Sequence, residues 1–323
     1  MTDRCACPPP GRPWRIVFFG SPEFSLPALK ALNDGPDEVA LVVTSPPAPA
    51  GRGRKLTPSP VALAAAELGL TLLETKSVRD EETLAAIEAA RPDLLVVAAF
   101  GGFLPERLIK LCPYPPLNIH PSLLPRHRGA APVNWCLIQG DREVGVSIIF
   151  LEARMDAGPI LSQRAFPVDG PDSAGDWEAR LAQVGAEDLM TVIEGLKNQT
   201  INPCAQDETC CTINPLLCKD NGRVDWKRPA AELAGLINGV DPWPGAQTVF
   251  QGKSLKVFGA AVADCGAEGC GCPGRVLRLD DEGRLLVSTG DGILTLTGFQ
   301  PEGKKRMNAA DFQRGYRPET LGL

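Results

Sequence analysis

Histidine is scarce in this sequence, and only His120 and His127 occur among its 323 residues. Hydrophobic residues are plentiful at 44%, but no apolar run reaches the roughly 20 residues that a membrane-spanning helix needs. The first 13 residues lack both the apolar core of a signal peptide and the Arg- and Ser-rich pattern of a transit peptide. These absences predict a cytoplasmic location, with residues 1–13 forming a disordered, Pro-rich N-terminus.

The 11 cysteines lack the arrangement expected of a secreted disulfide framework. Their number is odd, and no pair has the CxxC spacing of a typical zinc site. Cys265, Cys270 and Cys272 lie close together in a Gly-rich segment where a metal site is conceivable, yet no histidine is nearby. Free cytosolic thiols are the favoured interpretation, and no bound metal is expected.

The N-terminal part lacks a dinucleotide fingerprint but has the strand–turn–helix order of an α/β protein. Residues 15–19 form a short apolar run that ends at Gly20, and a helical pattern follows. The residues after Gly20 do not supply the second and third glycines of GxGxxG, which disfavours a Rossmann dehydrogenase. Residues 93–98 are almost continuously apolar, as expected for a central parallel strand buried on both faces.

A different pattern occupies the C-terminal third of the chain. Short strand patterns separated by Gly and Asp turns cover residues 246–250, 254–263, 274–279, 285–289 and 292–299. Five such strands predict a small β-barrel of the OB type. The long helical pattern at 173–197 closes the α/β part. The sequence thus predicts an α/β domain at 14–197, a linker at 198–222 and an OB-like domain at 223–323.

Charge is divided unevenly along the chain. Residues 212–323 contain 14 of the 33 Lys and Arg residues and 13 of the 39 Asp and Glu residues, a net charge of +1. The preceding residues carry a net charge of −7. This balance argues against a general nucleic-acid coat, although a local basic groove on the C-terminal part stays compatible with it.

The Pro/Gly-rich loop at 45–60 carries three cations, Arg52, Arg54 and Lys55, at its tip. A loop this long inside a compact domain is usually either functional or disordered. Contact with a phosphate backbone and a solvated, mobile insertion are therefore equally favoured interpretations.

The segment at 117–126 contains the most suggestive polar residues. Asn118 and His120 alternate with apolar neighbours, so both side chains face one way on a strand. An amide donor beside an imidazole can stabilise an oxyanion and move a proton. A satisfied core histidine at a buried strand end is the alternative interpretation. The Ser/Pro-rich turn that follows at once favours an active site.

With Asp156 in a Gly-terminated loop downstream, this segment resembles the 10-formyltetrahydrofolate-dependent formyltransferases. The resemblance covers nearly the whole chain. The Asn/His/Asp set is shared by the whole superfamily, whereas the Arg-tipped loop, DPWP and GDGI are typical of the branch that acts on tRNA. The motifs that carry the resemblance are GSPEF at 20–24, PAGRG at 49–53, PSP at 58–60, RGAAP at 128–132, DAG at 156–158, DPWP at 241–244 and TGDGI at 289–293.

The resemblance implies a Rossmann-like formyltransferase domain followed by an OB-like, tRNA-binding domain, acting as a monomer. The implied reaction transfers the formyl group of 10-formyltetrahydrofolate, a co-substrate, to the free amino group of initiator methionyl-tRNA. Asn118, His120 and Asp156 are the implied catalytic trio. The implied folate pocket is formed by Phe100, Gly101, Gly102, Ser122, Leu123, Leu124 and Pro125.

The resemblance also implies tRNA contacts at two places. Arg52, with Arg54 and Lys55, would enter the acceptor end, and Lys304, Lys305 and Arg306 are candidates for phosphate contacts. Two departures each remove a cation: Pro47-Ala48 replaces the usual Asp-Arg pair, and Leu216 replaces a lysine common in relatives, although Lys219 is retained.

Two rival functions make different predictions. A formyltransferase acting on a nucleotide amino sugar would need neither the cationic loop nor the barrel. A non-catalytic, folate-responsive RNA-binding protein would not need Asn118, His120 and Asp156, yet all three are present.

Overall fold

The computed structural model describes residues 12–50, 53, 55–264 and 272–322, which form two compact units. The first contains the described residues up to Arg128 together with Gly145–Ala165 and Ala179–Thr212. The second contains Gly129–Val144, Phe166–Glu178 and the described residues from Ile213 onward. No helix in the described ranges is both long enough and apolar enough to cross a membrane. The domain boundaries at 197 and 222 stay predictions.

The first part of the chain alternates strands and helices, as the sequence predicts. In chain order these elements are β1 (Arg15–Gly20), α1 (Leu26–Asp34), β2 (Glu38–Thr44), β3 (Ala48–Ala50), β4 (Lys55–Thr57), α2 (Pro60–Glu67), β5 (Leu72–Glu74), α3 (Glu81–Ala89), β6 (Leu94–Ala98), α4 (Glu106–Ile109), β7 (Leu117–His120), β8 (Arg128–Gly129), α5 (Pro132–Ile138), β9 (Glu143–Phe150), β10 (Ile160–Pro167) and α6 (Ala174–Lys197).

A seven-stranded sheet has the order β10-β9-β7-β6-β1-β2-β5. Strand β1 runs parallel to β2 and β6, and β6 runs parallel to β7, whereas β9 is antiparallel to β7. All five residues of β6 are buried, which explains its continuous apolar run. The α/β prediction is confirmed, and the carboxyl ends of β1, β6 and β7 share one edge of the sheet.

Helix α6 packs closely against β7 at Gly185. A Cβ atom built at Gly185 would lie 2.6 Å from Cγ2 of Ile119 and 3.2 Å from Cγ2 of Val146. Only glycine lets the helix approach the strand this closely, because any larger residue would require a shift of the packed methyl groups. The helix thus fixes the position of the strand that carries Asn118 and His120.

The predicted loop at 45–60 contains a short hairpin. Strand β3 pairs antiparallel with β4, with Ala48 opposite Thr57 and Ala50 opposite Lys55. Proline is tolerated in β3 because a two-stranded ribbon has open edges. Arg52 and Arg54, which come between these strands in the sequence, lie outside the described residues.

The N-terminal prediction of disorder at 1–13 falls almost entirely on residues outside the described ranges. Arg12 is described, and its guanidinium donates hydrogen bonds of 2.8 and 2.6 Å to the Asp93 carboxylate. Asp93 also accepts the backbone N–H of Arg15 at 2.8 Å. Arg12 is therefore tied to the residue that precedes β6, which also binds the first residue of β1.

The C-terminal part contains β11 (Ile213–Asn214), α7 (Ala230–Gly239), β12 (Ala246–Phe250), β13 (Lys253–Val262), β14 (Val276–Leu279), β15 (Leu285–Ser288), β16 (Ile293–Pro301), β17 (Met307–Asn308) and α8 (Ala309–Tyr316). Strands β12 to β16 form an antiparallel sheet in the order β12-β13-β16-β15-β14, and β17 pairs with β16. Phe299 and Phe312 stack in its core with ring centroids 4.4 Å apart. The predicted C-terminal domain of short strands is confirmed, and its strands form one antiparallel sheet. Cys265 and Cys270, in the predicted Gly-rich turn, lie outside the described residues.

The segment predicted as a linker, residues 198–222, has hydrogen-bonded structure of its own. The backbones of Cys204 and Ile160 exchange two hydrogen bonds of 2.8 Å. Single helical turns occur at Glu208–Cys210 and Lys219–Gly222. The part of this segment up to Thr212 therefore belongs to the first unit.

Candidate active site

Asn118 and His120 lie on β7 with one residue between them, so their side chains leave the same face of the strand. Asn118 pairs with Val97 of β6 and Ile149 of β9, and His120 pairs with Ser147 of β9. The two polar residues are only 8% and 5% exposed. Such buried polar side chains require hydrogen-bonding partners or a ligand.

The imidazole of His120 has an acceptor group near each ring nitrogen. Nε2 lies 3.0 Å from the carbonyl oxygen of His127. Because a carbonyl only accepts, Nε2 must carry a proton and donate to it. Nδ1 approaches the Asp156 carboxylate to 3.7 Å, which is beyond hydrogen-bonding distance. The structure therefore brings His120 and Asp156 together. Nδ1 is the ring nitrogen that can exchange a proton with the Asp156 carboxylate or with a bound substrate.

Asp156 lies in the loop between β9 and β10 with a positive backbone φ of 49°. Two residues later, a Cβ atom at Gly158 would lie 1.8 Å from the carbonyl oxygen of Phe150, so this position accepts only glycine. The side chain of Gln206 donates to the carbonyl oxygens of Asp156 and Gly158, both at 2.7 Å. Sequence reasoning misses Gln206, because it lies in the predicted linker and belongs to no periodic pattern.

Ser122 and Leu124 lie in the turn after β7, and their side chains are almost fully buried. The Ser122 hydroxyl donates to the carbonyl oxygen of Arg126 at 2.8 Å. Ser147 donates to the Ser122 carbonyl at 2.6 Å, and Gln163 donates to the Leu124 carbonyl at 3.0 Å. Side chains of β9 and β10 thus hold this turn in place through hydrogen bonds. Ser147 has a sequence signal, since it interrupts an apolar strand pattern.

Leu123 and Pro125 are half-buried parts of the same turn. A Cβ atom at Gly145 would lie 2.3 Å from Cδ2 of Leu123, so the leucine rests directly on this glycine. The carbonyl oxygen of Pro125 accepts the backbone N–H of Thr212 at 3.3 Å. Both ends of the predicted folate segment are therefore anchored.

The turn at 100–102 follows β6 at the carboxyl edge of the sheet. Phe100 packs edge-on against Phe19 of β1, with ring centroids 5.5 Å apart. Gly101 has a φ of +80°, which favours glycine, and both Gly101 and Gly102 are exposed. This turn and the turn after β7 follow neighbouring parallel strands, at the edge where ligands bind in open α/β sheets.

The predicted tRNA contacts have different surroundings. Lys55 is exposed on β4, whereas Arg52 and Arg54 lie outside the described residues. Lys304 and Lys305 are exposed between β16 and β17.

Arg306, next to these lysines, is engaged within its own unit. Its guanidinium lies 3.3 Å from the Asp241 carboxylate and 3.9 Å from the centroid of the Phe258 ring. Its charge is therefore partly compensated, and it stabilises the contact between the DPWP segment and β13.

Family models match both parts of the chain. A model described as formyl transferase matches residues 14–193, and one described as formyl transferase, C-terminal domain, matches residues 217–317. The chain belongs to the formyl transferase family. The predicted family is confirmed.

Similar proteins align with nearly the full length of this chain. A methionyl-tRNA formyltransferase of Desulfotalea psychrophila is 44% identical over 301 residues, covering 93% of this chain and 92% of that protein. A methionyl-tRNA formyltransferase of Geobacter sulfurreducens is 41% identical over 305 residues, covering 94% and 95%.

Solved structures share the fold at lower identity. An N-formyltransferase from Helicobacter canadensis, in complex with folinic acid and dTDP-3-aminofucose, superposes with a TM-score of 0.65 at 14% identity. The alignment covers 89% of this chain and 99% of that one. HypX from Aquifex aeolicus, in complex with tetrahydrofolic acid, superposes with a TM-score of 0.61 at 21% identity, covering 93% and 47%.

Proposed function

We propose that this protein transfers the formyl group of 10-formyltetrahydrofolate to the amino group of methionyl-tRNA, giving formylmethionyl-tRNA for translation initiation. The observation that carries the proposal is the near-full-length similarity to proteins named methionyl-tRNA formyltransferase, at 44% and 41% identity. The proposal is also supported by the position of His120, which lies on the same strand as Asn118 and has the Asp156 carboxylate beside its ring. The folate ligands of two structural relatives support the class of donor.

In the proposed reaction, the uncharged amine attacks the formyl carbon on N10 of the folate. A tetrahedral species forms, with negative charge on the formyl oxygen. Asn118 donates a hydrogen bond to this oxyanion, and the surrounding burial makes that contact stronger than in water. The C–N10 bond then breaks, and N10 takes up a proton as the amide product leaves.

His120 and Asp156 are proposed to move that proton. Donation from Nε2 to the His127 carbonyl orients the ring and leaves Nδ1 toward Asp156. Nδ1 and the carboxylate together accept the amine proton and return one to N10. The distance of 3.7 Å between Nδ1 of His120 and the Asp156 carboxylate would shorten to hydrogen-bonding distance when substrate binds.

The remaining roles are extensions of this proposal. The turns at 100–102 and 122–125 would hold the folate through backbone groups, because the hydroxyl of Ser122 already donates to Arg126. The tRNA phosphates would be contacted by the predicted set of Arg52, Arg54, Lys55, Lys304, Lys305 and Arg306. We expect the protein to act as a monomer in the cytoplasm.

The test is formyl transfer from 10-formyltetrahydrofolate to methionyl-tRNA by the purified protein. Wild-type protein should formylate methionyl-tRNA, and His120→Ala should lower kcat by about 10²–10⁴-fold, the range for a lost general acid–base group. Asn118→Ala should lower kcat by about 10²–10³-fold. A thymidine-diphosphate amino sugar serves as the competing acceptor. Transfer to the sugar and not to methionyl-tRNA would overturn the proposal, as would an unchanged rate in His120→Ala.

A further inference from the structure

Gln206 occupies a position that connects the predicted linker to the Asp156 loop. A glutamine amide has two donor hydrogens and one oxygen with two acceptor positions. Nε2 donates to the carbonyl oxygens of Asp156 and Gly158, each at 2.7 Å. Oε1 accepts from Nε and Nη2 of Arg128, at 3.0 and 2.7 Å. Every hydrogen-bonding position of this amide is therefore used.

The orientation of the amide is determined by Arg128. Arg128 is only 4% exposed, and its guanidinium also donates to both oxygens of Glu208 at 3.1 Å. These contacts lower the pKa of the Glu208 carboxyl below its ordinary value, chiefly through the hydrogen bond from Arg128. A reversed amide would direct Oε1 at two carbonyl oxygens and Nε2 at a cation. Gln206 is thus held in one orientation with its donors toward the loop.

The Asp156 loop needs such a restraint. A positive φ is disfavoured for a residue other than glycine, and even Asp, which tolerates it better than most, needs contacts to hold it there. The Asp156 carboxylate is attached to the same residue whose carbonyl Gln206 holds. A change in the backbone at Asp156 would therefore move the carboxylate relative to Nδ1 of His120, now 3.7 Å away.

We propose that Gln206 is a positioning residue for the reaction, acting through Asp156 and held in place by Arg128. The proposal rests on the proposed function, because it assigns Asp156 a part in proton transfer. It predicts an effect on turnover and not on substrate binding, since the amide of Gln206 is fully engaged by the loop carbonyls and Arg128.

Two variants test this role. Gln206→Leu removes both donors at nearly constant volume. Gln206→Glu keeps an acceptor for Arg128, which protects folding, but places a carboxylate oxygen against the two carbonyls. Both should lower kcat by about 10–100-fold, the effect of a displacement near 1 Å in a catalytic group, with KM for the folate within about 2-fold. Gln183→Leu, at an exposed position of α6, is the matched control and should keep wild-type kcat.

A double-mutant cycle separates positioning from general destabilisation. If Gln206 acts through Asp156, Gln206→Leu should cost little further activity, under about 2-fold, in an Asp156→Asn background. Equal fold losses in both backgrounds would refute the proposal.

A readout without substrate keeps the two proposals distinguishable. The chain has two histidines, so imidazole resonances of His120 can be followed by NMR with little overlap. Gln206→Leu should change the His120 chemical shifts in the direction seen for Asp156→Asn, and Gln183→Leu should not. Unchanged shifts with unchanged kcat would overturn the role of Gln206. A wild-type protein without transferase activity would overturn the proposed function instead, with the NMR result still deciding the positioning.

Discussion

Substitution of Gly185 by alanine offers a quantitative test of how α6 positions the catalytic strand. Helix propensity alone favours alanine over glycine by about 1 kcal/mol. The new Cβ would lie 2.6 Å from Cγ2 of Ile119, so the helix or the strand must move by about 0.8 Å to reach the ordinary contact distance of 3.4 Å. Overpacking of this kind costs about 1–3 kcal/mol. The net expectation is a loss of about 1 kcal/mol, or a fall in Tm of roughly 2–4 °C.

Gly315 in α8 provides the opposite case. A Cβ atom there meets nothing within 4 Å, so Gly315→Ala should raise the free energy of unfolding by about 0.5–1 kcal/mol. Thermal unfolding of both variants, followed by calorimetry, measures the contrast.

Activity gives a second measurement on the same pair of variants. Because Ile119 lies between Asn118 and His120, Gly185→Ala should also lower kcat, by up to about 100-fold if the full displacement reaches His120. Gly315→Ala should not change kcat. The reasoning would be refuted if Gly185→Ala were as stabilising as Gly315→Ala and kept full activity.

Three further predictions concern charged side chains. Burial raises the pKa of Glu178, so its ionised form is disfavoured in the folded protein. Glu178→Gln should raise Tm at pH 8 and have little effect near pH 4, where the carboxyl is protonated both folded and unfolded; a pH series of melting curves measures this. The double variant Lys304→Ala/Lys305→Ala should weaken tRNA binding and reduce the salt dependence by about one unit of slope per lost phosphate contact, without lowering Tm. Arg306→Ala should instead lower stability by about 1 kcal/mol, because it loses its contacts with Asp241 and Phe258.

The elements with a strong apolar pattern are predictable from the sequence. Strand β6 and the long helix α6 are expected at 93–98 and 173–197 and lie at Leu94–Ala98 and Ala174–Lys197. Both patterns reflect burial of one face or of both faces, which sequence periodicity records directly. The hairpin of β3 and β4 escapes prediction, because its three-residue strands are rich in proline and alanine and resemble a loop.

The site is predictable where side chains themselves would do chemistry, and not where backbone groups hold them. Alternation of polar and apolar residues along β7 is enough to place Asn118 and His120 on one face. The acceptors of Gln206 and Ser147 cannot be inferred, even though Ser147 stands out in its strand, because both side chains donate to main-chain carbonyls that leave no mark on the sequence. The charge of Arg306 suggests a phosphate contact, which stays a prediction; its ion pair with Asp241 could not be inferred from the sequence.

The two histidines illustrate this distinction within seven residues. They are chemically identical, yet the structure uses the ring of His120 and the carbonyl of His127 in a single hydrogen bond. That bond requires a proton on Nε2 and thereby selects Nδ1 as the nitrogen that faces Asp156. A residue at 127 therefore matters to the site through a backbone group that every amino acid has, in a conformation with φ of 58° that few residues adopt readily. The chemistry proposed for His120 consequently depends as much on the path of the turn after β7 as on the identity of the side chains.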